Sequence, residues 1–147
     1  MIAIVRLGTP RTPGEGLRLG TARRPPRGVP KADFAKRDFY DVWLPELAPS
    51  AELVAFAQHS FVQHTLPHHA SARPSADDEK SWRFFERKYR AEMRRPEAVR
   101  LLDLLAAFSR QTNFSVGCYC ENEHRCHRSI LKKLLAEHGA TLGCIDI

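Results

Sequence analysis

No glycine occurs between Gly28 and Gly117, a gap that suits a long, mostly helical middle. The chain also has no glycine-rich phosphate loop, no dinucleotide fingerprint and no zinc-protease helix, so several common cofactor classes lose support. Long apolar runs are missing too. None approaches the roughly 20 residues of a membrane span, and the opening MIAIVRLG reaches Arg6 too soon for a secretory apolar region. A soluble cytoplasmic protein with no membrane partner is expected. Cysteine is scarce and crowded, with three of four within residues 118 to 126. That spacing gives no disulfide framework, and a cytoplasm would keep the thiols reduced and available for chemistry or metal.

What is present fits one domain over residues 1–147, since 43% of the residues are hydrophobic and the length suits a single core. The net charge of +6 is uneven: residues 1–31 hold seven Arg or Lys against Glu15 alone, and the remainder holds sixteen of each sign. Within that segment ARRPPRGVPK carries Arg23, Arg24, Arg27 and Lys31 on a backbone stiffened by three prolines. Two readings of this basic Pro-rich loop, about residues 23–31, stay open. It binds an anionic partner, whether phosphate, nucleotide or nucleic acid, or it is a solvated basic loop.

IAIVRL reads as a buried strand and LRLGTA, residues 17–22, as a weaker one. Pro49-Ser50 opens a short helix with Leu53, Phe56 and Ala57. Residues 63–76 read as an exposed loop, and its His64, His68 and His69 lack cysteines or acids at ligand spacing. Asp77 is the expected N-cap of a helix whose Trp82, Phe85, Tyr89 and Met93 form one apolar stripe. Pro96 and Glu97 begin another helix, with Val99, Leu102, Leu105 and Phe108 facing inward and an end near Asn113. FSVGCYC alternates as a strand with Phe114, Val116, Cys118 and Cys120 on one face. A helix from about Cys126 to Gly139 and a final strand, TLGCIDI, follow. The fold class is therefore α/β: a parallel-type sheet with flanking helices and a C-terminal strand-helix-strand unit.

Residues 118–128, CYCENEHRCHR, occupy the strand-to-helix loop of that unit, where ligands collect in open α/β sheets. The helix N-terminus favours anions and depresses the pKa of a thiol placed there. Cys126 is thus the candidate nucleophile and His127 its candidate base, against a small residue and a capping histidine. Arg128 clamps an anion or pairs with Glu121. Glu121 acts as a base, binds a sugar hydroxyl or holds Arg128. Cys118 and Cys144 suit the core, and Cys120 either lies beside the substrate or is buried. Metal is not expected: strand rise separates the Cys118 and Cys120 side chains by roughly 7 Å unless the chain bends, too far for Zn–S bonds of about 2.3 Å. A phosphatase loop fails because six residues beyond Cys120 and Cys126 stand Cys126 and Lys132.

The run Cys120-Glu121, a polar loop, Cys126-His127-Arg128 and an apolar helix resembles the C-terminal signature of the bacterial family catalogued as domain of unknown function 488 (DUF488). Pro26-Arg27-Gly28-Val29 with Lys31, Leu47-Ala48-Pro49-Ser50, and Trp82 with Phe85, Tyr89 and Glu92 are similar to segments of one branch of that family. Ala22 and Pro25 depart from that branch, which shows an acidic residue and a tryptophan there. The resemblance implies an α/β fold and a shared site.

Three functions are weighed. The first is a hydrolase or transferase on a phosphate-bearing or nucleotide-like anion, with Cys126, His127 and Glu121 reacting and Arg128, Arg27, Lys31 and Cys120 holding the substrate. The second is a nucleic-acid-binding module using residues 23–31. The third is a thiol redox or metal-responsive protein. The enzyme ranks first, with its cofactor unknown.

Overall fold

The structure is a computed structural model that describes residues 1–61 and 75–143. The histidines of the 63–76 loop and Cys144 lie outside the described residues. Among the described residues four parallel strands form one sheet: β1 (Ile2–Arg6), β2 (Leu17–Gly20), β3 (Val42–Trp43) and β4 (Phe114–Cys118), in the order β1-β4-β2-β3. The α-helices among the described residues are α1 (Ala51–Ser60), α2 (Ala76–Glu92), α3 (Pro96–Phe108) and α4 (His127–Glu137). Among the described residues no helix is long and apolar enough to cross a membrane.

β4 lies between β1 and β2, and every one of its residues is buried. A central parallel strand covered on both faces explains why FSVGC is buried throughout rather than on alternate residues. The final strand reading survives only in part: Leu142 bridges Ile2 in the parallel sense, on the outer side of β1. Residues 144–147 are outside the described structure.

The core joins Ile2, Phe114 and Val116 of the sheet to Phe85 and Tyr89 of α2, Leu102 of α3, and Ile130, Leu131 and Leu135 of α4. The expected α2 stripe is found, but its cap is Ser75, whose hydroxyl accepts from Asp78 N–H while the Asp78 carboxylate accepts from Ser75 N–H. This capping box starts the helix one residue before Asp77. In α3 the inward stripe is Ala98, Leu102, Leu105 and Ser109, a 4-3-4 spacing that leaves Phe108 one step around the helix and 49% exposed. The helix ends at Phe108 rather than near Asn113.

Tyr89 ties the helical layer to the site. It is fully buried, its hydroxyl donates to Leu47 O at 2.7 Å, and its ring meets that of His127 edge-on at 5.5 Å. Tyr89→Phe leaves the Leu47 carbonyl without this donor and is expected to lower stability by about 1–2 kcal/mol in chemical denaturation. A loss within experimental error of zero would mean that this bond does not fix the 44–50 turn.

Candidate functional site

Gly20 of β2 sits opposite Gly117 of β4, so the two neighbouring parallel strands end at the same level. Their following loops, residues 21–31 and 119–126, therefore emerge side by side beyond the carboxyl ends. A side chain at Gly20 would collide with the Tyr40 ring, because a Cβ there would lie 2.3 Å from it. Three contacts fix the first loop against its surroundings. Thr21 donates through its N–H and its hydroxyl to Gly117 O at 2.9 and 3.0 Å. The Arg23 guanidinium donates to the carbonyls of Pro45, Ala48 and Pro49. Tyr119, from the second loop, donates its hydroxyl to Arg24 O at 3.2 Å.

The segments that carry the family resemblance thus have physical roles. Leu47-Ala48-Pro49-Ser50 is held by Arg23, by Tyr89, and by Glu92, whose carboxylate accepts from Ser50 N–H at 2.9 Å.

Beyond β4 the chain turns at once. The strand ends at Cys118, Tyr119 and Cys120 follow, a 3₁₀ turn covers Glu123–Arg125, and Cys126 is the N-cap of α4. The turn brings the Cys118 and Cys120 sulfurs to 3.7 Å. All three sulfurs of Cys118, Cys120 and Cys126 lie within 4.8 Å of one another. The 7 Å expected from an uninterrupted strand is corrected accordingly: the strand stops at Cys118, two residues before Cys120, so the spacing does not apply. The Cys118–Cys120 pair matches the edge of about 3.8 Å of a tetrahedron with Zn–S bonds of about 2.3 Å, and all three sulfurs lie within 4.8 Å of one another.

Cys118 and Cys126 are buried and Cys120 is exposed. Hydrogen bonding with Cys120 pushes the Cys118 thiol up to about 11. Cys126 is driven well above the ordinary thiol value by hydrogen bonds with Cys118 and Cys120 and then by burial. Cys120 is held far below that value by its hydrogen bonds from the other two sulfurs, and the charge of Arg128 adds to this. These directions favour ionisation at Cys120 over Cys126, the thiol that the helix-terminus argument named. Cys126 is 2% exposed, and burial adds to the effect of its two sulfur neighbours.

His127 is buried, and burial depresses its pKa to about 4. Its Nε2 lies 3.2 Å from Thr21 Oγ1 and its Nδ1 lies 3.8 Å from Cys126 Sγ. The Thr21 hydroxyl hydrogen is already directed to Gly117 O, so its oxygen accepts from Nε2–H. That assigns the Nε2–H tautomer and turns the Nδ1 lone pair toward the sulfurs.

A cavity of about 780 Å³ opens over this group. It is bordered by Arg24 and Arg27 of the basic loop, by Cys118, Cys120, Cys126 and His127, by Arg125, and by an apolar wall that includes Phe39, Val54, Phe61 and Phe85. Arg125 is stacked over Trp82 and paired with Glu79.

Several expected site residues sit elsewhere. Glu121 does not border the cavity; it is exposed and pairs with Arg6 at 3.3 Å, so it does not hold Arg128. Arg128 is 3% exposed and donates to the carbonyls of Cys120 and Glu121, which makes it a support of the loop rather than an open anion clamp. Lys31, exposed at the start of a 3₁₀ turn, does not border the cavity either. Thr21, Arg125 and the sulfur of Cys118 are members that sequence reasoning missed. The Cys118-Tyr119-Cys120 spacing was the available signal, and its meaning depended on where the strand stops.

The comparisons agree with the C-terminal signature. Neither the curated proteins nor the solved structures include a match to this chain. A family model described as the active DUF488-N3 subclade matches residues 2–139, a span that takes in both loops and all four strands; the chain belongs to the DUF488 family.

Proposed function

We propose that the chain is an enzyme, a hydrolase or transferase, that takes a phosphate-bearing, nucleotide-like anion into the cavity over the sulfur trio. One observation carries this reading: the same cavity is bordered by Arg24 and Arg27 on one side and by Cys118, Cys120, Cys126 and His127 on the other. Its volume of about 780 Å³ is in the range of small-molecule sites, and its mixture of apolar wall and few polar groups suits a ligand with a planar body and a charged end. The arginines bind the phosphate through charge-assisted hydrogen bonds. The substrate's reacting end faces Cys120, the exposed member of the trio, with the neutral His127 as proton acceptor behind it.

A nucleic-acid tract fits less well. Of the seven basic residues in 1–31, Arg6, Arg11 and Arg18 are in ion pairs and Arg23 is bound to three carbonyls. Among the described residues that leaves Arg24, Arg27 and Lys31 with neither an ion pair nor a side-chain hydrogen bond, which is a small footprint for phosphate neutralisation along a strand.

The test is conversion of a panel of nucleotides and phosphosugars followed by mass spectrometry. At least one class is expected to turn over, and Cys120→Ser, at an exposed position, is expected to slow it by about 100-fold or more with the fold intact. Turnover unaffected by Cys120→Ser, or none across the panel, counts against the enzyme reading.

A further inference from the structure

We propose that Cys118, Cys120 and Cys126 together bind one thiophilic divalent ion of the zinc class. The inference goes beyond the reading above and does not depend on it, since it needs no substrate. Three observations support it. The first is distance: the pair at 3.7 Å and the limit of 4.8 Å for all three bracket the roughly 3.8 Å edge of a tetrahedral thiolate site. The ion needs small movements of side chains, not of backbone.

The second is charge. Arg128 is buried, has no carboxylate partner among the described residues, and its Nε has no hydrogen-bond partner. It lies beside Cys120, whose carbonyl accepts from it at 2.6 Å. A buried guanidinium requires a compensating negative charge. Three thiolates on a divalent ion carry a net charge of −1, so metal binding keeps beside Arg128 the negative charge that Cys120 offers in the metal-free protein.

The third is access and orientation. All three cysteines border the cavity, so the ion enters by that route and its fourth position opens into it, as in zinc sites that do chemistry. His127 Nδ1 lies 3.8 Å from Cys126 Sγ, on the same side of the trio. On binding, three metal–sulfur bonds form and the protons still on sulfur pass to the solvent, so affinity rises with pH.

The experiment is elemental analysis of the full chain prepared without chelators or a metal-affinity tag, followed by zinc titration against a chelating dye and cobalt(II) substitution. Close to one zinc or other thiophilic ion per chain is expected, with thiolate-to-cobalt charge-transfer absorption. Cys118→Ser and Cys120→Ser should each weaken binding by more than about 100-fold, beyond the tenfold to hundredfold carried by outer partners. Glu121→Gln, outside the cavity, should leave it unchanged. Cys120→Ser alters an exposed side chain, so loss of metal there with native circular dichroism separates ligation from misfolding. A metal-free protein that takes up no zinc, a disulfide within the trio, or zinc retained by Cys120→Ser overturns the proposal. Nucleotide binding by a protein that takes up no zinc would overturn this inference and leave the proposed function standing.

Discussion

Replacing Arg18 by leucine is expected to destabilise the protein by about 3–5 kcal/mol, because it leaves a carboxylate buried without its partner. Arg18 and Glu15 are 1% and 2% exposed and form a two-point pair at 2.6 and 2.8 Å. The remaining Glu15 contacts come from Ser115 Oγ at 2.6 Å, in the central strand, and from Thr12 N–H. Arg18 also donates to the carbonyls of Thr9 and Asp38. Asp38 is the one described non-glycine residue with positive φ, at 60°, so the guanidinium holds a backbone conformation that costs energy.

The same pair predicts a pH dependence. Burial would raise the Glu15 pKa, but the hydrogen bonds from Arg18, Ser115 and Thr12 outweigh it and hold it at about 2, against 4.5 for the free side chain. A carboxyl with a depressed folded-state pKa stabilises the fold fully above its unfolded value, and that contribution is lost as pH falls through the folded one. From pH about 5 to about 2 the wild type should therefore lose about 3 kcal/mol through this group. The double variant Glu15→Gln, Arg18→Met should show less of that loss and recover part of the stability missing from Arg18→Leu. Urea denaturation at pH 7 and along an acid series measures both. Arg18→Leu within 1 kcal/mol of wild type would mean that the pair is not what joins β2 to β4.

The second large effect is on ligand binding. Arg24→Ala with Arg27→Ala is expected to weaken the anion that the cavity accepts by about 100-fold, at about 1.5–3 kcal/mol for each hydrogen bond to a charged group with incomplete additivity. Both side chains are exposed, so the melting temperature should hardly change. Lys31→Ala, outside the cavity lining, should cost little. Calorimetric titration at fixed salt decides the matter. Equal losses at Lys31 and Arg27 would instead describe a continuous basic tract and favour nucleic acid over a small ligand.

How much of this could be read from the sequence follows from what each signal measures. Periodicity reports burial of one face, and it located α2 and α4 because each turns one apolar stripe to the core, Phe85 and Tyr89 in the first and Ile130, Leu131, Leu134 and Leu135 in the second, while β1 and β4 were found as short apolar runs. It misplaced Phe108, where the helix turns its last ring outward. Of the C-terminal unit, β4, α4 and the parallel bridge of Leu142 to Ile2 were legible, and with them the place of the loop beyond the end of β4. Charge counting was coarse: of the loop bases Arg23, Arg24, Arg27 and Lys31, Arg23 is taken up by three backbone carbonyls and the other three are exposed. Residue spacing failed for the thiols, because the distance between Cys118 and Cys120 depends on a strand ending at Cys118. Likewise, Glu121 and Arg128 are neighbours along the motif but occupy opposite environments, one exposed beside Arg6 and the other buried under the loop. Neither partner is encoded in their spacing.

The most direct test of the account is site-resolved alkylation of the native protein at fixed, measured metal content, read by mass spectrometry with and without the nucleotide and phosphosugar panel. Cys120 should be the first of the trio to be labelled, and a ligand that binds wild type but not the Arg24, Arg27 double variant should slow its labelling. If Cys120 reacts no faster than the buried Cys118 and Cys126, and no ligand changes its rate, the substrate does not lie between the basic loop and the sulfur trio.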